Sequence, residues 1–189
     1  PLPTNQNLLP CIKSAKALID NKVKAIVLVT PNNPTGVEYP DSLLKQFNSL
    51  AKKNKIKLIL DETYKNFRQG VASPHSLFKN KWEGHLIHLY SFSKVYRLTG
   101  HRVGMLIASR KLIQEIEKFL DTTSICPNRL GQKAALFGLQ NLNTFIEHEK
   151  TKIENIKAIF TRGIKKIPDW KLLGIGGYFA YLSYQSRMN

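Results

Sequence analysis

Four short polar stretches of this 189-residue chain carry residue types that could do chemistry. In SFSK, Ser91 and Ser93 set two hydroxyls beside the amine of Lys94, directly behind the apolar run LIHLY. A lysine at a packed strand end is partly desolvated. Burial favours its neutral, nucleophilic form, which makes Lys94 a candidate for Schiff-base chemistry. The bland alternative is a solvated lysine, the commonest fate of this residue type. In LDETY, Asp61 stands beside Leu58, Ile59 and Leu60, with Tyr64 three residues on. A carboxylate there is costly to bury unpaired, so Asp61 either caps the next helix or is held for a cationic partner. In TGHRVG, Arg102 lies between Gly100 and Gly104, which admit unusual backbone angles or close approach. Its guanidinium can clamp a phosphate with two hydrogen bonds, or it is a surface arginine in a turn. PNNPTG, Pro31–Gly36, reads by itself as a turn, from which Asn33 offers a carboxamide donor.

The elements that must position these groups are legible as apolar runs. Ala25–Thr30, Lys57–Asp61, Leu86–Tyr90 and Val103–Ala108 are apolar almost throughout, a pattern that suits strands covered on both faces. Asp41–Asn54 and Ser109–Asp121 place Leu, Ile and Phe at helical spacing, with Asp41 as a plausible N-cap behind Pro40. Strand, helix and strand at this pitch predict βαβ units and a mainly parallel sheet, in which ligands gather at the carboxyl ends of the strands. PNNPTG, DETY and SFSK each follow such a strand. A long amphipathic pattern over Phe145–Lys166 predicts a helix leaving the sheet. Lys171–Tyr184 predicts a glycine-interrupted strand region beyond it.

Taken together, NNPTG, LDETY, SFSK and GHRVG resemble the class I/II aminotransferases, pyridoxal-phosphate enzymes of the aspartate aminotransferase fold. Lys94 follows Asp61 by 33 residues, and Arg102 follows Lys94 by 8. The likeness spans Val29–Ala108 and continues through RLGQKAAL and GGYFAYL. It implies an α/β large domain, here residues 1–145, with a mainly parallel sheet flanked by helices. Residues 146–189 would then be the connecting helix and the start of a smaller α+β domain. The resemblance makes Lys94 the covalent anchor of pyridoxal 5′-phosphate and afterwards the general base and acid. It makes Asp61 the partner of the ring nitrogen, and Asn33 and Tyr64 the donors to the phenolic oxygen. Ser91 and Arg102 become phosphate ligands, with Ser93 as a third. The implied reaction moves an amino group between an amino acid and a 2-oxo acid, in a homodimer. A decarboxylase or lyase on the same scaffold uses the same four motifs. The family's upstream phosphate loop and ring-stacking aromatic find no match before Asn33. Arg187 stands too near GGYFAYL to be the arginine that grips the substrate carboxylate. The expectation is therefore the central and early C-terminal part of an aminotransferase, and a non-catalytic remnant is the alternative.

Composition sets outer limits. With 42% hydrophobic residues the chain can bury a core. A net charge of +16 raises the question of a polyanion partner. The lysines are scattered, however, without a run of five like charges or a basic helix with interleaved aromatics, so a nucleic-acid partner is not expected. The longest apolar runs are too short to span a bilayer, and PLPTNQNLLP lacks the features of a signal peptide. Cys11 and Cys126 form neither a disulfide framework nor a metal spacing, so no metal is expected and a reducing cytoplasm is the default compartment.

Overall fold

A computed structural model describes residues 1–68, 77, 82 and 84–185. The four apolar runs become strands β1 (Ala25–Val29), β2 (Lys57–Asp61), β3 (Leu86–Ser91) and β4 (Gly104–Ile107). They form one sheet in the order β1-β2-β3-β4. The first three strands are parallel, and β4 runs antiparallel to β3. Register sets Val29 opposite Asp61, and Asp61 opposite Leu89, so the carboxyl ends of β1, β2 and β3 lie at nearly one level.

Helix α1 (Ile12–Leu18) precedes β1, and α2 (Asp41–Lys53) connects β1 to β2. A single turn, α3 (Phe92–Val95), follows β3 at once. Beyond β4 come α4 (Arg110–Thr123), α5 (Arg129–Asn141) and the long α6 (Asn143–Ile164), then an antiparallel hairpin of β5 (Trp170–Gly176) and β6 (Phe179–Tyr184). The glycine-interrupted stretch is thus two strands, with Gly177 and Tyr178 at their turn. The N-cap of α2 is Pro40, and Asp41 is the first helical residue. The Pro40 carbonyl accepts from the amides of Leu43 and Leu44. The Asp41 carboxylate therefore lies in the first turn, where the helix dipole favours an anion.

The core lies on one face of the sheet. Ile26, Leu28, Leu58 and Leu60 point to the same side and bury against Leu44, Phe47, Leu50 and Ala51 of α2 and Ala15 of α1. The expectation that both faces are covered holds at β3, where neighbouring Ile87 and His88 are both buried, and fails at the edge strand β1. On the other side Val27 is 56% exposed, because α1 and α2 both pack on the first face. A second cluster gathers Tyr64, Phe67, Tyr90, Phe92, Val95, Tyr96 and Val103 with Ala135 of α5 and Ile146 of α6. Here α5 comes close enough at Gly138 that a Cβ would lie 2.6 Å from the Tyr96 ring. Phe47 has no exposed surface. Phe47→Ala is expected to cost about 3–5 kcal/mol by lost transfer energy and an unfilled cavity, read as a lower denaturation midpoint at unchanged slope. Among the described residues, no helix is long and apolar enough to cross a membrane.

Candidate functional site

The loop after β1 is built by its asparagines. Asn32 Oδ1 accepts from the Thr35 hydroxyl at 2.8 Å and from the Thr35 amide at 3.3 Å. The Gly36 amide donates to the Asn32 carbonyl, and the Asn32 amide to the Val37 carbonyl. Thr30, fully buried, accepts the Tyr39 amide on its hydroxyl. Asn32 thereby folds the turn inward, and its neighbour Asn33 is left exposed at the tip. The Thr30–Pro31 and Asn33–Pro34 bonds are cis.

At the end of β2, Asp61 Oδ1 accepts from the Thr63 amide at 3.0 Å and the Thr63 hydroxyl at 2.7 Å. Asp61 is not the cap expected for the next helix, whose N-cap is Tyr64; it closes a turn onto Thr63 instead. One oxygen organises the turn, while Oδ2 makes no such bond among the described residues. Tyr64 follows, buried and flanked by aromatic rings. Burial raises its phenol pKa and the nearby Asp61 carboxylate raises it further; the Asn33 carboxamide and the Tyr178 hydroxyl, acting as hydrogen-bond partners, pull it back. Asn33, Asp61 and Tyr64 are thus brought together from two strand ends. Glu62 alternates to the opposite face, where its carboxylate lies 3.0 Å from Nε2 of buried His88.

At the end of β3, Ser91 caps α3, its hydroxyl accepting the Ser93 amide at 3.2 Å. The Ser91 O–H proton stays available to a ligand, since a hydroxyl donates and accepts at once. The single turn points Phe92, Ser93 and Val95 inward and Lys94 outward. The desolvated lysine expected from the sequence is therefore an exposed one. Its place at the strand end is as expected, but the helical phase gives the buried directions to its neighbours.

Ser91 pairs with Gly104, which brings the Arg102 loop to the same place. The backbone freedom expected of Gly100 and Gly104 is divided differently. Arg102 itself takes the left-handed conformation, at φ 49° and ψ 47°. A Cβ on Gly104 would lie 3.0 Å from the Tyr90 carbonyl oxygen, so Gly104 serves close approach, whereas Gly100 faces open space. Left-handed backbone at a non-glycine residue costs on the order of 1–3 kcal/mol and persists only where its surroundings enforce it. One enforcing contact is visible: the Asn128 carboxamide donates to the His101 carbonyl, while its Oδ1 accepts the Gly131 amide as the N-cap of α5. Arg102 is exposed and donates one bond to the Thr99 carbonyl at 3.1 Å, so most of its fork remains free for an anion.

Sequence reasoning did not single out Asn32, Asn128 or Tyr178. The doubled asparagine of PNNPTG was a usable signal for the first. The other two act across 27 and 114 residues respectively (128 − 101 and 178 − 64), which no local pattern encodes. Arg187 lies outside the described residues.

A family model described as aminotransferase class I and II matches residues 5–187. An aspartate aminotransferase of Thermotoga maritima is 32% identical over 160 residues, which is 82% of this chain and 42% of that protein. Glutamate-pyruvate aminotransferase AlaA of Haemophilus influenzae is 32% identical over 149 residues, covering 74% of this chain and 37% of the relative. A crystal structure of a Thermotoga maritima aspartate aminotransferase superposes with a TM-score of 0.82 at 27% identity, over 95% of this chain and 47% of the other. A double mutant of Thermus thermophilus aspartate aminotransferase gives 0.84 at 22% identity, over 93% and 47%. The chain therefore spans less than half the length of these relatives.

Proposed function

This chain belongs to the class I and II aminotransferase family, and from that premise we propose that it forms the cofactor-holding part of a pyridoxal-phosphate-dependent transaminase. The observation that carries the reading is convergence: the ends of three parallel strands and the Arg102 loop deliver one amine, one carboxylate, a carboxamide with a phenol, two hydroxyls and one guanidinium to one end of the sheet. That donor set fits pyridoxal 5′-phosphate chemically. In this reading Lys94 would bond its aldehyde carbon, Asp61 Oδ2 would meet its protonated ring nitrogen, and Asn33 and Tyr64 would donate to its phenolic oxygen. Ser91 and Arg102 would hold its phosphate, with Ser93 the third ligand by family likeness although the turn points it inward. When bound, the cofactor supplies the electron sink that lets an amino acid exchange its amino group with a 2-oxo acid. In that reading the Lys94 amine would carry the proton at the substrate Cα, Asp61 would keep a proton on the ring nitrogen, and Asn33 and Tyr64 would favour the anionic phenolic oxygen.

Transamination is favoured over decarboxylation because the relatives are named for amino-group transfer, among them aspartate and glutamate-pyruvate enzymes. Residues 1–145 then form the cofactor-binding part, and residues 146–189 the connecting helix and the first hairpin of a smaller domain. The assembly proposed with this reading is a homodimer, by likeness to the family. A cytoplasmic location is supported by two free cysteines, Cys11 and Cys126.

The test is direct. The protein expressed from the complete reading frame that contains this chain, mixed with pyridoxal phosphate, is expected to gain a visible absorption band. Its band is then expected to change on adding an amino acid, with a 2-oxo acid appearing and no carbon dioxide released. Release of carbon dioxide in proportion to substrate consumed would replace transamination with decarboxylation, and absence of the band would remove the cofactor.

A further inference from the structure

The left-handed Arg102 directly follows a one-turn 3-10 helix, Thr99–His101. The head of α5 reaches this turn from 27 residues away. Asn128 is the N-cap of α5, and its Oδ1 accepts the Gly131 amide at 2.6 Å. The Nδ2 of the same carboxamide donates to the His101 carbonyl. The two partners fix which way the carboxamide faces. A backbone N–H only donates and a carbonyl only accepts, so one orientation serves both and the flipped one serves neither. Capping accounts for the oxygen but not for the nitrogen, since Asp caps a helix as well as Asn and carries no donor.

The surroundings hold this carboxamide in place. A Cβ on Gly131 would lie 3.0 Å from both polar atoms of the Asn128 side chain and 3.2 Å from the His101 Cβ, so only glycine admits so close an approach. Gln132 donates to the Pro127 carbonyl at 2.8 Å and ties the chain on either side of Asn128 together. By contrast, the Arg102 bond to the Thr99 carbonyl lies within its own turn and cannot anchor that turn to the rest of the fold.

We propose that Asn128 is a positioning residue of the phosphate site: by holding the His101 carbonyl to the head of α5, it keeps Arg102 left-handed and so sets the direction from which the guanidinium meets an anion. The inference rests on the reading of Arg102 as a phosphate ligand. The His101 carbonyl and the Arg102 nitrogen share one rigid peptide plane. Turning that plane changes the φ of Arg102, which sets where its Cβ points. A left-handed φ is disfavoured at a residue with a Cβ, so a released plane would turn toward ordinary negative φ and carry the Arg102 side chain with it. The loop concerned is the one that the pairing of Ser91 with Gly104 brings to the end of β3.

The test uses the protein expressed from the complete reading frame that contains this chain. Dissociation constants are measured for pyridoxal 5′-phosphate and for pyridoxal, which lacks the phosphate, in the unsubstituted protein, Asn128→Gly and Arg102→Ala. Glycine is nearly as good an N-cap and adds no charge, so the helix is kept while both side-chain bonds go. Asn128→Gly is expected to bind the phosphate ester about 3- to 10-fold more weakly, the equivalent of one ordinary hydrogen bond, with pyridoxal binding unchanged. A purely structural role would weaken both ligands alike or neither, and either result overturns the proposal. A second readout needs no cofactor. His101–Arg102 is the one His–Arg step in this chain, so histidine labelled at its carbonyl carbon and arginine labelled at its nitrogen single out that peptide by magnetic resonance, with the signal assigned by its loss in His101→Gln. The signal is expected to move in Asn128→Gly, and an unmoved signal overturns the proposal. Should this variant not fold, Asn128→Asp carries both measurements, because it keeps the cap and lacks only the donor, in salt that screens its added charge. Arg102→Ala is expected to lose preference for the phosphate ester. An unchanged preference there sinks the reading of Arg102 and the proposal with it, whereas a loss there without one in Asn128→Gly overturns the proposal alone.

Discussion

Lys94→Ala is expected to abolish covalent capture of pyridoxal phosphate. In the unsubstituted protein, borohydride should fix one cofactor per site to a peptide containing Lys94. In the variant, no adduct should survive denaturation, although Asp61, Asn33, Tyr64, Ser91 and Arg102 still offer a non-covalent site. The expectation follows from where Lys94 lies. It is in the single turn after β3, one residue past Ser93 and on the outward side, where its amine is open to solvent and away from the core. Because Lys94 buries no apolar contact, its loss should leave thermal stability nearly unchanged, so a defect cannot be ascribed to misfolding. Turnover should fall by at least about 10²–10⁴-fold, the usual contribution of a positioned proton-transfer group, with loss of the covalent anchor added to it. An adduct of unchanged stoichiometry in Lys94→Ala would move the anchor to another lysine and undo the assignment.

What the sequence revealed and what it concealed divide along a physical line. Asp61, Ser91 and Lys94 were legible because each directly follows an apolar run, and a strand end is a local feature. The parallel pairing of β1, β2 and β3 was expected from the strand–helix–strand pitch, with α2 as the crossover from β1 to β2, whereas the order of the strands was not. Nor was the reversed direction of β4, since only the short Phe92–Val103 connection distinguishes it. The exposure of Lys94 was hidden by the phase of a one-turn helix, which no periodicity can define over four residues. The left-handed backbone of Arg102 was hidden because glycines on either side offered an easier explanation for the turn. Its enforcement comes from Asn128 at the head of α5, through a contact with the His101 carbonyl. Tyr178 was hidden for the same reason. The motif GGYF names a turn, but what the turn touches is decided by the clasp of Gly176 on Gly36. Local chemistry is thus readable from residue order, whereas the contacts that aim it come from packing between distant segments.

Asp61→Ala tests a different part of the reading, with a different expected pattern. Asp61 lies opposite both Val29 and Leu89 in the register, at the centre of the converging strand ends. Its Oδ1 is engaged with Thr63, which fixes the carboxylate plane and leaves Oδ2 to face a cation. A cofactor ring nitrogen meeting that oxygen would be held protonated by a charge about 4 Å away. At the effective dielectric near a protein surface such a pair is worth about 4 kcal/mol, a figure that partial exposure of Asp61 reduces. Even half of that is about 30-fold in rate, and the whole is near 10³-fold. Binding should suffer less than turnover, because Lys94 and the phosphate ligands remain. The variant is therefore expected to retain the visible band and borohydride capture while its single-turnover rate with an amino acid falls by about 30- to 1000-fold. Tyr64 gives an independent check. The Asp61 carboxylate raises the Tyr64 phenol pKa, so removing it should lower the Tyr64 midpoint. A variant that transfers amino groups at near-normal rate would show that the anion at the end of β2 serves only the Thr63 turn.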